Sequence, residues 1–385
     1  LDLDRLEEDR SLTSQGLDSL MAMELRHGIQ KATGRDVPVV KLLGEFSLQE
    51  LVASLTEQEI SNDTAKKETT STVELSHGQS ALWFLHQSDP TSAAYHTAFA
   101  LRLTGPVDPA KLNGVFAQLV ERHPQLRARF PRQEGAPTVQ ISTESKFPFN
   151  TVDASDWTEA ELQDEVYSDY AKTFDLEHKS LFRVNLYQQS GDDRAILLCT
   201  IHHIISDAWT NWLLLDEFRE LYAGSEILPP NQAEYSDFIS WQKTYLQGSD
   251  GARAEEFWRN DLAGPLPQLT LPLDQVRPAK FSAKGASVPL RISNELFERL
   301  KSLATTRGTT AFTLLLSAWQ IWLHRHSGQT DIIVGSPTAG RSQAEFTELA
   351  GYFVNPVPFR ARLDPRRSFA ELLGANRGHG LRGLQ

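Results

Sequence analysis

Residues 56–72, TEQEISNDTAKKETTST, hold one apolar side chain of any size and no aromatic. Such a stretch cannot bury enough surface to offset the entropy of ordering it, so it reads as a linker. A chain interrupted in this way cannot be one continuous domain. A small unit, 1–55, precedes the linker, and a much larger one, 73–385, follows it. The two sides also differ in charge. Residues 1–70 carry 14 acidic and 8 basic side chains, net −6, which is half of the −12 of the whole chain. An acidic small module beside a nearly neutral large one points to two modules with different partners.

The small unit reads as helical. Asp18 is placed to cap a helix over Ser19–Thr33, with Met21, Leu25, Ile29 and Ala32 on one face and Gly34 as its stop. A second helix starts at Ser47, with Glu50 in capping-box position and Leu48, Leu51, Val52 and Leu55 at i, i+3, i+4 and i+7. Two helices and a turn segment bury little, so a further helix is expected before Leu1.

Beyond Val73 helices and strands alternate. Helices are expected at 77–87, 109–122, 158–173, 209–223, 235–246, 252–262, 294–307 and 310–326. Strands are expected at 98–104, 126–130, 137–142, 182–189, 194–201, 287–292, 331–335 and 352–362. Phe182, Val184 and Leu186 alternate with Arg183 and Asn185, which predicts a half-buried strand. Ala195–Ile201 is nearly all apolar, which predicts a strand covered on both faces. The mixture indicates α/β layers, in two lobes divided at the Pro-rich stretch Gly264–Pro278: 73–263 and 264–385.

Several function classes drop out. With 40% hydrophobic residues the chain can build sizeable cores. No apolar run approaches the roughly 18–20 residues needed to span a bilayer, and the N-terminus is acidic, so neither a membrane span nor a signal peptide is expected. No Lys/Arg-rich block offsets the negative charge, so nucleic acid is not an expected partner. The single cysteine, Cys199, forms no internal disulfide and fits a reducing, cytoplasmic setting.

Two motifs can carry chemistry. Gly16-Leu17-Asp18-Ser19-Leu20 puts a serine hydroxyl at a helix start. A phosphodiester attached there would face free backbone N–H groups and the positive end of the helix dipole, although Asp18 and Ser19 also serve as ordinary capping residues. The wider string from Leu12 to Arg26, LTSQGLDSLMAMELR, resembles acyl carrier proteins of modular polyketide synthases over nearly all of 9–55. That resemblance implies 4′-phosphopantetheine on Ser19, installed by a phosphopantetheinyl transferase. Peptidyl carriers more often have Gly-Gly before the attachment site, so Gly16-Leu17-Asp18 looks like the polyketide type.

The second motif, His202-His203-Ile204-Ile205-Ser206-Asp207-Ala208-Trp209, lies where an apolar strand meets a helix. A neutral imidazole there can accept a proton or hydrogen bond from an attacking amine, and Asp207 can fix a geometry. Equally, Asp207 can cap the helix and one histidine can be a satisfied core residue. Adjacent histidines on an extended segment point to opposite faces and seldom share one ion, so no metal site is expected.

From about residue 75 the chain resembles condensation domains of nonribosomal peptide synthetases in five ordered blocks. They are Ser76-His77-Gly78-Gln79-Ser80-Ala81-Leu82-Trp83-Phe84-Leu85, then Glu121–Phe130 (ERHPQLRARF), His202–Asp207, Tyr235-Ser236-Asp237-Phe238-Ile239-Ser240-Trp241, and Gly351-Tyr352-Phe353-Val354-Asn355-Pro356. The resemblance implies two chloramphenicol-acetyltransferase-like α/β lobes facing across a tunnel. Carrier-bound acyl and aminoacyl thioesters enter from opposite ends, and an amide forms. By resemblance His203 is the active histidine, with His202 beside it, and Asp207 pairs with Arg341 of the Gly340-Arg341 element. The partners implied are upstream polyketide synthase domains and a downstream aminoacyl carrier.

Two departures stand out. Ala208 replaces the family's usual Gly, which is unfavourable if the site needs φ > 0 and acceptable if a helix begins there. The chain also reaches Gln385 soon after the 351–356 block, so the second lobe is expected to be truncated. An epimerisation domain shares the HHxxxD pattern, but it would normally follow a peptidyl carrier. A non-catalytic recruiting module tends to lose the motif histidine.

Overall fold

The structure, a computed structural model, describes residues 9–15, 17, 22, 25, 28–29, 33, 37, 41–42, 46–56, 74–133, 135–189, 194–225, 231–276 and 285–383. The chain forms two compact units. One combines Leu1–Lys67, Tyr245–Thr338 and Pro356–Gln385, and the other combines Glu68–Thr244 with Ala339–Asn355. Both are discontinuous in sequence, and residues 339–355 return to the unit that holds the histidine motif. A single linear cut in Gly264–Pro278 does not describe that return.

In the N-terminal segment, Leu12, Leu17, Ala22, Val37, Leu42 and Leu51 form a small core, with Leu25 and Ile29 packed against it. Ala22, Leu25, Gly28, Ile29 and Thr33 are helical; Asp18, Met21, Ala32 and Gly34 lie outside the described residues. Helix α1 (Leu48–Thr56) begins as expected. The Ser47 N–H donates to the Glu50 carboxylate at 2.8 Å, and the Glu50 N–H donates to Ser47 Oγ at 3.2 Å. The expected linker, apart from Thr56, lies outside the described residues.

The unit carrying the motif opens with α2 (His77–Ser88), capped reciprocally by Ser76 and Gln79. It continues through β1 (His96–Thr104), α3 (Pro109–Arg122), β2 (Phe149–Asp153), α4 (Glu159–Ala171), β3 (Phe182–Gln189), β4 (Arg194–His202), α5 (Ala208–Ala223) and α6 (Tyr235–Gln247). The sheet order is β1–β4–β3–β2. Strand β4 is antiparallel to both neighbours, and β2 runs parallel to β3. Phe116 and Leu119 of α3, Phe218 of α5, and Phe182, Val184, Leu197 and Cys199 share the core on one face. Leu162 of α4, Tyr187, Ile196 and Leu198 form the core on the other.

With both faces covered, β4 is buried from Ala195 to His202, as its apolar run predicts. Strand β3 differs from expectation. Asn185 and Tyr187 are buried along with Val184 and Leu186, so the strand is covered on both sides rather than one. Its polar residue is satisfied from the next strand: Asn150 Nδ2–H donates to Asn185 Oδ1 at 2.8 Å.

The other unit continues through α7 (Ser249–Asp261), α8 (Asn294–Thr306), α9 (Ala311–Ser327), β5 (Asp331–Thr338), β6 (Asn355–Arg362) and α10 (Phe369–Gly383). Strands β5 and β6 pair, and Arg360 bridges to Asp331 at 2.6 Å. Helix α10 is absent from the sequence expectations because its glycines give it poor helix propensity. Tertiary contacts hold it: Leu373 packs with Ala304 and Leu314, and Asn376 Nδ2–H donates to Ser317 Oγ and Gln320 Oε1.

Three expected strands change. Residues 126–130 become a 3-10 turn, Pro124–Arg127, with a two-residue ladder after it. The 137–142 stretch breaks into two-residue pieces. Residues 287–292 pair with no strand, and Val288 and Leu290 are exposed. Among the described residues no helix is long and apolar enough to cross a membrane.

Candidate active site

The two motif histidines part because the backbone changes conformation between them. Strand β4 ends at His202, and His203–Ile205 form a 3-10 turn. His202 Nδ1 accepts the Ile204 N–H at 3.1 Å, and the His203 carbonyl accepts the Ser206 N–H at 3.2 Å. Buried Gln79 of α2 donates to the Ile204 carbonyl at 3.1 Å and steadies the turn. The β1–β4 register sets His96 opposite His202. His202 is 1% exposed, with the rings of His86, His96 and Phe174 at 5.6–6.0 Å. Burial first, and then the neighbouring imidazoles His86, His96 and His203, push its pKa well below the ordinary histidine value. A neutral ring whose Nδ1 accepts carries its proton on Nε2. His202 caps the 3-10 turn.

His203 is half-buried and has the opposite arrangement. Its Nδ1 lies 2.6 Å from the Ser206 carbonyl. A carbonyl only accepts, so Nδ1 carries a proton, and it is Nε2 that bears the lone pair whenever the ring is neutral. The Ser206 hydroxyl in turn shares a hydrogen bond with Thr97 at 2.9 Å. The edge-on neighbour of the His203 ring is Tyr352, at 5.1 Å and 89°.

Asp207 is fully engaged in the framework. It caps α5 by accepting the Thr210 N–H at 2.7 Å, and it accepts from Arg341 Nη2 at 3.1 and 3.3 Å and from the Phe353 N–H at 3.2 Å. Arg341, 2% exposed, also donates to the Phe346 and Leu349 carbonyls and to Thr210 Oγ1. Its guanidinium lies 3.8 Å from the centre of the Phe353 ring. Gly340 before it has φ +66, and a Cβ there would sit 1.7 Å from the Phe353 carbonyl oxygen, so no other residue fits. Ala208 is the first residue of α5 and exposed, so the methyl group that replaces the family's usual glycine hydrogen meets no backbone demand.

The structure thus brings His203, Asp207 and Arg341 into one unit. It sets His202 behind them and leaves Ser19 outside the described residues. Sequence reasoning gave no role to the Ser206 carbonyl, Thr210, Tyr235 or Tyr352. The last two lie inside the blocks at 235–241 and 351–356, which was their only signal.

Residues 69–382 match the family model described as Condensation domain, and residues 1–55 match the Phosphopantetheine attachment site model. The chain belongs to the condensation-domain family. Tyrocidine synthase 3 of Brevibacillus parabrevis is 33% identical over 360 residues, 93% of this chain and 6% of that protein. The curated relatives matched are much longer; the chain spans 5 to 10% of their length. The first condensation domain of the calcium-dependent antibiotic synthetase, solved with a substrate analogue, aligns with a TM-score of 0.65 at 22% identity, covering 82% of this chain and 75% of that one. The condensation domain of the monacolin K polyketide synthase aligns with a TM-score of 0.71 at 18% identity, covering 82% and 74%. Condensation domains of nonribosomal peptide synthetases are acyltransferases that form C–N bonds, and the fold here is theirs.

The carrier segment ahead of this condensation domain takes covalent 4′-phosphopantetheine. Leu17 and Ala22 are buried in that segment's core, and Ser19 is the one hydroxyl-bearing residue between them in the sequence.

Proposed function

We propose that this condensation domain joins a carrier-bound acyl thioester to the amine of a carrier-bound aminoacyl thioester. The carrying observation is the His203 tautomer: Nδ1–H is committed to the Ser206 carbonyl, which leaves Nε2 as an acceptor. In this reading Nε2 accepts the N–H hydrogen bond of the attacking amine and aims its lone pair at the thioester carbonyl carbon. The C–N bond forms, the C–S bond breaks, and the proton lost by nitrogen ends on the departing sulfur. Asp207 and Arg341 touch no reacting atom in this scheme; they hold the turn and the 351–353 segment in place.

When bound, phosphopantetheine supplies the thiol that carries the acyl group. We assign its attachment to Ser19, loaded by a phosphopantetheinyl transferase, with 1–55 as the carrier, 56–72 as the linker and the rest as the condensation lobes. Gly16-Leu17-Asp18 before Ser19 supports a polyketide-type donor delivered by upstream synthase domains, and a downstream aminoacyl carrier supplies the amine. The buried Cys199 thiol, its pKa raised by burial, takes no covalent part and fits a cytosolic setting.

The test loads Ser19 with an acyl-pantetheine, adds an aminoacyl carrier, and follows the acceptor by intact-protein mass spectrometry. Acyl transfer to the acceptor amine that disappears in His203→Ala is expected. Equal product from the variant removes His203 from the reaction. Failure of Ser19→Ala to abolish loading removes the assigned attachment site.

A further inference from the structure

The Ser206 carbonyl holds Nδ1 of the His203 ring at 2.6 Å. A second contact braces the plane of the ring. Tyr352 supplies it, edge-on at 5.1 Å with the planes at 89°, the geometry aromatic pairs prefer.

Tyr352 is held from both sides. The Gly351 N–H donates to Thr210 Oγ1 at 3.1 Å, and Thr210 Oγ1–H donates to the Gly351 carbonyl at 3.0 Å. The Phe353 N–H donates to Asp207 at 3.2 Å. The Tyr352 carbonyl accepts from the Tyr235 hydroxyl at 2.5 Å, and Ser76 Oγ is 3.0 Å from that hydroxyl. The Tyr352 ring then lies against the backbone of α2 at Gly78, where an added Cβ would come within 2.5 Å of Cε1 and 2.8 Å of Cδ1. Glycine is unfavourable inside a helix relative to alanine, and this close approach accounts for its presence in the first turn of α2.

We infer that Tyr352 is a positioning residue for His203: its ring, admitted by Gly78 and carried on a 351–353 backbone tied to Asp207, Thr210 and Tyr235, braces the plane in which the His203 lone pair points. Asp207 then acts on His203 at one remove, through the 351–353 backbone. The consequence for turnover rests on the proposed amide-forming reading; the consequence for the imidazole does not.

The test has two readouts on the full chain. Imidazole NMR with labelled histidine reports the His203 tautomer, assigned by the signal lost in His203→Ala, and the loading assay above reports rate. Tyr352→Phe keeps the ring and is expected to retain the wild-type His203 signal and a rate within about twofold. Tyr352→Leu removes the ring, and Gly78→Ala displaces it. Both are expected to shift His203 away from a single Nδ1–H tautomer and to slow amide formation roughly three- to tenfold. Should Tyr352→Leu not fold, Gly78→Ala carries the test alone, its fold checked by thermal unfolding. A wild-type His203 signal in the folded Leu and Ala variants, whatever their rates, overturns the inference. A shifted signal in those variants, with no amide formed even by the wild type, sustains the positioning role and removes the amide-forming reading instead.

Discussion

His202 and His203 are adjacent in sequence, yet their surroundings are opposite. At the end of β4, His202 is sealed among His86, His96 and Phe174 with Nδ1 accepting from Ile204. One residue later, on the 3-10 turn, His203 is half-buried with Nδ1 donating to Ser206. The same side chain accepts through Nδ1 in one place and donates through Nδ1 in the other. What separates them is where the strand stops, because that point decides which ring nitrogen meets a backbone donor and which meets a backbone acceptor.

The sharpest way to break this comparison is to delete each ring in turn. His203→Ala is expected to lower amide formation by about 10²–10⁴-fold, the usual contribution of a positioned proton acceptor, while leaving the unfolding midpoint nearly unchanged. A large loss of stability in that variant would make His203 a second structural histidine.

Removing the framework under both comes next. Asp207→Ala leaves the Arg341 guanidinium buried without its carboxylate and costs about 3–5 kcal/mol in urea unfolding. Its inactivity would therefore say nothing about proton transfer. Full stability in Asp207→Ala would show that the pair does not hold the turn. His202→Ala is expected to cost less, about 1–3 kcal/mol, because it strips the Ile204 N–H of its acceptor. If it instead abolished turnover at unchanged stability, the assignment of the two roles would be reversed.

How much of this is legible in the sequence follows from the range of each interaction. Strand β4 and the helix after it are visible because a continuous apolar run ending in Ser-Asp carries its own signal. The Ser76/Gln79 and Ser47/Glu50 caps are equally local. The Asp207–Arg341 contact joins residues 134 positions apart and came only from the family resemblance. The cage around His202 is invisible beforehand, since the β1–β4 register, not spacing, brings His96 to it. Strand β2 is short and carries Asn150 and Asp153; its pairing with β3, including the Asn150–Asn185 bond, supplies what its composition lacks. The same holds for Tyr352: nothing in Gly-Tyr-Phe says that a ring must fit over Gly78 until both are seen together.

Acid tests the cage around His202. Burial lowers the pKa of His202, and also of His96 and His86. In the unfolded chain these rings bind protons as pH falls through about 6.5, while the folded protein resists, so the unfolded state takes up more protons. Their contribution to stability is complete above about pH 6.5 and is lost progressively as pH falls through the lowered folded values. Each such group steepens the fall by at most about 1.4 kcal/mol per pH unit. His202→Asn should flatten the pH dependence of the urea midpoint between about pH 6.5 and 5. An unchanged slope would mean that the His202 ring is not held neutral by its cage.

The smallest effect is expected at Ser206, and it discriminates between side chain and backbone. Ser206→Ala removes a buried hydroxyl that bonds Thr97, at a cost of about 1 kcal/mol. Thr97 keeps a partner in the Ile201 carbonyl at 3.3 Å, which limits the penalty. The carbonyl that holds His203 Nδ1–H belongs to the main chain and survives the substitution. Turnover should therefore stay within about threefold and the His203 tautomer should persist, whereas a collapse of either would place the control in the Thr97–Ser206 hydroxyl pair. Persistence means that the Nδ1–H of His203 is held by the Ser206 main-chain carbonyl rather than through the Thr97–Ser206 hydroxyl pair.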